Sequence, residues 1–129
     1  MTVDPTVQQR RVRTLLAEQR ALVASLLAQR RQLSGSLVTR FGTCGKAGCA
    51  CQRGEGHGPY YVLSTRSAAG GGFTYLSRAK AAEARRLVAG YRRFRGGMRR
   101  LRTLNRELLE ALKRYQRAVA RQGERRVAV

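Results

Sequence analysis

The C-terminal third of the chain repeats its apolar residues every seven positions. With Ala84 placed at heptad position a, ten of the twelve a and d positions are apolar. The a positions are Ala84, Tyr91, Met98, Asn105, Leu112 and Val119, and the d positions are Leu87, Phe94, Leu101, Leu108, Tyr115 and Gln122. An average spacing of 3.5 residues predicts a long helix with a coiled-coil or bundle seam. The frame continues through Gly96-Gly97 without a slip, which favours one bent helix over two shorter ones.

Asn105 is the polar exception within this seam. A single Asn at an a position often specifies register and partner number, and the alternative is an Asn that faces solvent in a frayed stretch. The candidate oligomerisation residues are Leu101, Asn105, Leu108, Leu112 and Tyr115. Because the predicted N-terminal helix is shorter than the C-terminal one, we expect the far heptads to pair with a second copy or another protein.

The N-terminal segment also predicts a helix. Asp4 is a suitable N-cap and Pro5 suits the first turn, where its missing N–H costs nothing. Leucine and valine recur at three- and four-residue steps along one face. Ser34-Gly35 is the expected end, with Gly35 as a left-handed C-cap.

The middle of the chain is rich in glycine, which argues against a long helix. The stretches "PYYVLST" and "FTYLS" are rich in β-branched and aromatic residues and predict a β-hairpin, and "SLVTRF" could add a third strand. Tyr60 and Tyr61 would point to opposite faces of a strand. One would pack on the helices, and the other would either stack on a nucleic-acid base or be partly buried.

The predicted fold class is α+β. A long N-terminal helix and a longer C-terminal helix form an antiparallel coiled-coil-like hairpin, joined by a small zinc-pinned β-ribbon. The expected organisation is a single domain, 1–129. It comprises a helix at 4–34, a zinc-binding ribbon at 36–77, a coiled-coil helix at 78–122 and a flexible tail at 123–129.

All three cysteines and the only histidine lie close together in sequence, at Cys44, Cys49, Cys51 and His57. Three thiolates and one imidazole satisfy the tetrahedral preference of Zn²⁺, and the intervening glycines let the chain turn tightly around one ion. A ribbon with so little core would gain stability from a structural metal. Three free thiols and an iron–sulfur cluster are the alternatives. A catalytic zinc needs an open coordination position, which four protein ligands do not leave.

Charge is the second strong signal in this chain. It carries 27 Lys and Arg residues against 7 Asp and Glu, a formal net charge of +20. Such a surface repels itself unless an anion covers it. The candidate partners are nucleic acid, which we favour, an acidic protein and an anionic membrane. An arginine-rich composition from a GC-rich genome would not explain the shortage of acids.

The same heptad frame places most of this charge on one side of the C-terminal helix. Ten of the twelve b and c positions from Arg85 to Arg121 are basic, and the exceptions are Glu107 and Ala120. The candidate nucleic-acid-binding residues are Arg85, Arg86, Arg92, Arg93, Arg99, Arg100, Arg106 and Lys113, with Lys46 and Arg53 beside the metal loop. We call the basic b and c residues of this helix the arginine stripe. Contacts to backbone phosphates would give affinity with steep salt dependence and would not separate DNA from RNA. The alternative is a merely solvated helix face.

Several sequence blocks resemble a family of uncharacterised bacterial proteins. They are a CGK-x-x-C-x-C block, a GHGPYY block and a helix with a Tyr-Arg-Arg core that ends in Leu-Asn-x-Glu-Leu, and together they cover roughly residues 35 to 112. The resemblance implies that Cys44, Cys49, Cys51 and His57 form a matched unit. It implies no reaction, and the Gly-Gly pair at 96–97 departs from the helix-favouring residues usual in that pattern.

These observations predict a non-catalytic nucleic-acid-binding protein with a structural zinc ion. The alternative is a coiled-coil interaction module that serves another protein, such as a mobile-element or regulatory partner. A metalloenzyme is a third reading, which a closed four-ligand site excludes. We expect a cytoplasmic location, no membrane segment, no small-molecule substrate, and a homodimer or a coiled-coil protein partner.

Overall fold

The chain forms two compact units. The computed structural model describes residues 4–54, 56–65 and 72–128. The helical unit comprises residues 1–29 and 94–129, and the sheet unit comprises residues 30–93. The elements in chain order are α1 (Pro5–Ala28), β1 (Gly35–Gly42), a 3-10 helix (Ala50–Arg53), β2 (His57–Thr65), β3 (Gly72–Leu76) and α2 (Arg78–Val127). The predicted α+β class is therefore confirmed.

Helix α1 begins as its sequence predicts but ends earlier. The Asp4 carboxylate accepts a hydrogen bond from the N–H of Thr6 at 2.9 Å, and Pro5 occupies the first turn. The helix ends at Ala28, so the predicted end at Ser34-Gly35 is wrong. Gly35 instead begins β1 opposite Thr65, where a Cβ atom would lie 2.6 Å from the Ser64 carbonyl oxygen. Close approach of two strands, rather than a helix cap, explains this glycine.

The core of the helical unit lies between α1 and the C-terminal part of α2. Leu15, Leu104 and Ala111 are buried together, and Val12, Leu22 and Leu108 pack against them. Two ion pairs flank this core, Arg11–Glu107 at 3.9 Å and Glu18–Arg100 at 3.6 Å. The later residue of α1, Glu18, pairs with the earlier residue of α2, Arg100, so the two segments are antiparallel.

In the C-terminal part of α2 the buried seam keeps the predicted d positions, but the residue before each predicted a position is buried in place of the a residue. Leu104, Ala111 and Ala118, which precede the predicted a positions, are between 1% and 4% exposed, whereas Met98 and Leu112 are 48% and 44% exposed. Small residues at the displaced positions explain the shift, because they allow two helices to approach closely. Gly97 is the clearest case, since a Cβ atom there would overlap the Leu26 side chain.

Helix α2 is continuous through Gly96-Gly97. The Ser77 hydroxyl accepts a hydrogen bond from the N–H of Lys80 at 3.3 Å and so caps the start of the helix. The helix extends to Val127, so the described part of the predicted flexible tail, 123–128, is helical apart from its last residue, and residue 129 lies outside the described residues. Arg125 and Arg126 in the last turn suit the negative end of the helix dipole.

The sheet unit contains three antiparallel strands in the order β1-β2-β3. The predicted hairpin is therefore confirmed as β2 and β3, and the suggested third strand as β1. Leu37 and Leu63 are paired and share one face, and Leu37 lines a shallow groove together with Val88 of α2. We call this the inner face. Leu63 is buried on this face of the central strand, and Ala81, Ala84 and Val88 are buried on α2.

Within the ranges described above, neither helix contains an apolar stretch of the length that a bilayer crossing requires.

Candidate metal centre and basic helix face

Strand pairing brings the two ends of the cysteine-histidine stretch together. Gly42, near the end of β1, is the partner of His57 at the start of β2, after a register shift that follows Arg40. Cys44 lies two residues beyond Gly42 and is therefore at the same end of the sheet as His57. Gly56 follows the loop with a φ of 93°, and a Cβ atom there would lie 2.7 Å from the Gly42 carbonyl oxygen. A side chain at position 56 would thus push the two strands apart.

A tight turn presents Cys44 and Cys49. Gly45 and Gly48 have φ values of 76° and 77°, which glycine adopts without strain. The Lys46 carbonyl accepts hydrogen bonds from the N–H of Cys49 at 3.3 Å and from the Gln52 side-chain amide at 2.8 Å. These bonds close the loop from inside, so the two thiols are held without a packed core around them.

Cys51 lies in the short 3-10 helix and is the buried member of the set. Its sulfur accepts a hydrogen bond from the N–H of Cys44 at 3.4 Å. Cys49 is half-buried and Cys44 is exposed, and all three thiols are free. The three thiols therefore converge from three different local conformations: the irregular segment after β1, the residue before the 3-10 helix, and the 3-10 helix itself.

The four candidate ligand atoms converge on one point. The Cys44 and Cys51 sulfurs lie 3.6 Å apart, the Cys49 sulfur lies 3.3 Å from Nε2 of His57, and all four atoms lie within 4.8 Å of one another. For comparison, Zn–S bonds of 2.3 Å in a tetrahedron place two sulfurs about 3.8 Å apart. Cys44, Cys49, Cys51 and His57 could therefore hold a metal ion with little rearrangement, as the sequence predicts.

The thiols differ in how readily they ionise. A hydrogen bond from the backbone N–H of Lys46 is the largest cause that lowers the pKa of Cys44, and a hydrogen bond with the His57 ring is the second. The pKa of Cys49 is lowered mainly by a hydrogen bond from the backbone N–H of Cys51. At Cys51 the N–H of Cys44 favours the thiolate, but burial and the neighbouring thiols together raise its pKa. Three adjacent thiolates repel one another, so a bound cation would stabilise them, and metal binding would release thiol protons.

The arginine stripe is exposed along its whole described length. Every basic residue at a b or c position between Arg85 and Arg121 is exposed. Three of them have an acidic neighbour within an ion-pair distance, namely Arg86 with Glu83, Arg100 with Glu18 and Lys113 with Glu110. Exposed pairs of this kind contribute little to stability.

The other five candidate residues on α2 lack such a partner. Among residues 4–54, 56–65 and 72–128, no ion pair involves Arg85, Arg92, Arg93, Arg99 or Arg106. Lys46 and Arg53 are also exposed, Lys46 in the metal-loop turn and Arg53 at the end of the 3-10 helix. The stripe thus presents forked donors to solvent, which suit phosphate oxygens.

The candidate oligomerisation residues are divided between packing and exposure. Leu108 packs against the core of the helical unit, Leu101 and Tyr115 are half-buried, and Leu112 is exposed. Asn105 accepts a hydrogen bond from the Gln19 side-chain amide at 2.7 Å. Asn105 therefore has a polar partner on α1 of the same chain. The sequence pattern alone could not distinguish this partner from a residue of a second copy.

The two central tyrosines occupy opposite faces of β2, as predicted. Tyr61 is half-buried, and Tyr60 is 45% exposed. The sequence interpretation missed Phe73 and Tyr75 of β3, which are 77% and 69% exposed. The alternation of "FTY" is the signal that could have found them, since residues two apart on a strand share a face.

Comparison with known proteins identifies a family but no activity. No curated protein and no solved structure matches this chain. A family model described as a domain of unknown function matches residues 8–86, which include most of α1, the whole sheet unit up to the start of α2 and all four candidate metal ligands. The chain therefore belongs to the uncharacterised DUF6788 family.

Proposed function

We propose that this protein is a non-catalytic nucleic-acid-binding protein whose sheet unit is stabilised by a structural zinc ion. The observation that carries the proposal is the row of exposed arginines on α2, five of which form no ion pair with any described residue. Dense like charge along one helix is unfavourable in the free protein. A polyanion that contacts the stripe relieves this repulsion, and phosphates along a nucleic-acid backbone supply such a charge.

The ligand chemistry supports zinc as the metal. Three sulfurs and one imidazole nitrogen form a set common in structural zinc sites, whereas calcium and magnesium prefer oxygen ligands. Four protein ligands fill the tetrahedron and leave no position for water or substrate. The site therefore acts as a structural support for the loop between β1 and β2, and the chemistry of a catalytic zinc is not expected.

Removal of two unpaired arginines tests the nucleic-acid proposal. We expect the double variant Arg99→Gln/Arg106→Gln to bind nucleic acid about tenfold more weakly at low salt. Each lost phosphate contact should also reduce the slope of log K against log salt by about 1. Fluorescence anisotropy with a labelled oligonucleotide across a salt series measures both quantities. Both side chains are exposed, so circular dichroism should remain unchanged.

A matched control separates the stripe from net charge. Arg125→Gln/Arg126→Gln removes the same charge from the last turn of α2, outside the stripe. We expect the affinity of this variant for nucleic acid to be closer to that of the unaltered protein than the affinity of Arg99→Gln/Arg106→Gln is. Equal losses in both double variants would show that only total charge matters, and an affinity independent of salt would contradict the proposal.

The displaced seam favours a second candidate function, an interaction module. Met98, Leu112 and Val119 lie on the exposed flank of α2 and are between 41% and 48% exposed. We propose that α1 and α2 form an antiparallel coiled-coil hairpin in the helical unit, and that this apolar flank contacts a second copy. Leu112→Glu should then convert a dimer to a monomer in analytical ultracentrifugation, with Thr103→Glu as a control. A protein that is monomeric at micromolar concentration would contradict this candidate.

A further inference from the structure

The outer face of the sheet carries an unusual set of exposed side chains. Residues paired across antiparallel strands share a face, so the register assigns one set of residues to the side opposite Leu37 and Leu63. We call this set the outer face, and it comprises Ser36, Val38, Arg40, Tyr60, Val62, Ser64, Phe73 and Tyr75. It contains three aromatic rings, one arginine, two valines and two serines, and it contains no acidic residue.

The aromatic rings of this face are open to solvent. Phe73, Tyr75 and Tyr60 are 77%, 69% and 45% exposed, whereas Val62, which lies between Val38 and Tyr75 in the paired strands, is only 3% exposed. Tyr60 and Tyr75 contact each other edge to face, with ring centroids 6.4 Å apart. Single exposed apolar residues are ordinary, but a contiguous cluster of aromatic rings marks an interaction surface.

Charge identifies the kind of partner. The sheet unit contains 12 basic and 2 acidic residues. Its charge would repel a basic partner and would not attract a neutral one. Arg40 lies directly opposite Tyr60 in the register, which places a cation beside an aromatic ring on the same face. A partner with flat apolar surfaces and a negatively charged backbone matches both features.

We propose that the outer face binds single-stranded nucleic acid by stacking unpaired bases on Tyr60, Phe73 and Tyr75, with Arg40 contacting phosphate. This inference rests on the proposed function and narrows its substrate class. Aromatic rings on a sheet can stack with the face of any base, which makes binding tolerant of sequence. In a duplex the base faces are covered by their neighbours, so a duplex cannot use these rings.

Affinity measurements with ring variants test the proposal. The probes are oligo-dT and oligo-U of about 12 nucleotides, a length within the site sizes known for sheet-based single-strand binders, and a duplex of the same length. We expect Phe73→Ser/Tyr75→Ser to weaken single-strand binding by about tenfold or more and to leave duplex binding unchanged. Tyr75→Phe keeps the ring and should retain binding. Thr74→Ala, on the inner face between the two rings, is the matched control.

A fluorescence signal reports stacking directly. The chain contains no Trp, so Tyr75→Trp introduces a single indole on the outer face. We expect the single strands to quench this indole while the duplex does not. Oligo-dT and oligo-U compare DNA with RNA, and stacking predicts quenching by both.

The outcomes distinguish this inference from the proposed function. Single-strand binding without quenching, and unchanged by Phe73→Ser/Tyr75→Ser, would overturn the outer-face proposal and leave stripe binding intact. Absence of any nucleic-acid binding at low salt would overturn both. Ring variants that abolish association with a protein while nucleic-acid binding is unaffected would assign the outer face to a protein partner instead.

Discussion

Cys51→Ser is expected to abolish stoichiometric metal binding and to unfold the loop between β1 and β2. Structural zinc contributes on the order of 10 kcal/mol of apparent binding free energy in small metal-dependent units, which is comparable to the stability of a whole domain. Cys51 is the buried member of the four candidate ligands, and its sulfur accepts a hydrogen bond from the N–H of Cys44, so serine would remove both a candidate ligand and a contact that holds the loop together. Metal content by mass spectrometry and amide hydrogen exchange over residues 35–65 measure the two effects.

A neighbouring substitution controls for damage to the loop itself. Thr43→Ala changes an exposed residue beside Cys44 and should leave the metal content and exchange protection unchanged. Chelation of the metal from the unaltered protein should reproduce the exchange pattern of Cys51→Ser. A Cys51→Ser protein that keeps a full equivalent of metal and an ordered loop would contradict the assignment of this residue as a ligand.

Gly90→Ala and Gly96→Ala are expected to change stability in opposite directions. Alanine favours a helix over glycine by about 0.5–1 kcal/mol, so both changes would stabilise an isolated helix. At Gly90, however, a Cβ atom would lie 2.5 Å from the Arg31 carbonyl oxygen, and the backbone must shift. We therefore expect Gly90→Ala to destabilise the protein by about 1–3 kcal/mol. At Gly96 nothing lies within 4 Å, so the helix-favouring effect remains.

Thermal unfolding followed by circular dichroism measures this contrast. Gly96→Ala should raise the melting midpoint by a few degrees, about 2–6 °C, and Gly90→Ala should lower it by more. Since the two variants carry the same substitution in the same helix, they control for each other. A stabilising Gly90→Ala would show that the Arg31 carbonyl does not lie as close to Gly90 as described, and a destabilising Gly96→Ala would indicate an unrecognised contact at that position.

Local sequence signals predicted the candidate metal centre and the helix starts. The four candidate ligands lie within one short stretch, and their chemistry and glycine spacing suffice to indicate a shared ion. Asp4 and Ser77 act within one helical turn of their own position, so their N-capping role needs no knowledge of the fold. The strands were predictable for a similar reason, because alternation and β-branched composition are properties of neighbouring residues.

Features that depend on distant packing could not be predicted. The apolar content of α2 is broad enough to allow more than one seam, and the a/d frame chose the larger side chains Met98 and Leu112. The structure buries the positions before them because Gly97, Ala111 and Ala118 leave room for α1. In a sequence, glycine indicates a position that destabilises a helix, whereas Gly97 allows α2 to approach the Leu26 side chain of α1 closely.

The sequence by itself determined the class of fold, the convergence of Cys44, Cys49, Cys51 and His57, and the basic character of α2, because each follows from residues near one another along the chain. Only the tertiary structure decided where α1 ends, which stripe of α2 is buried, and that three aromatic rings share the outer face of the sheet. These depend on how closely two backbones approach and on which strand pairs with which. Both are set by contacts between residues far apart in sequence.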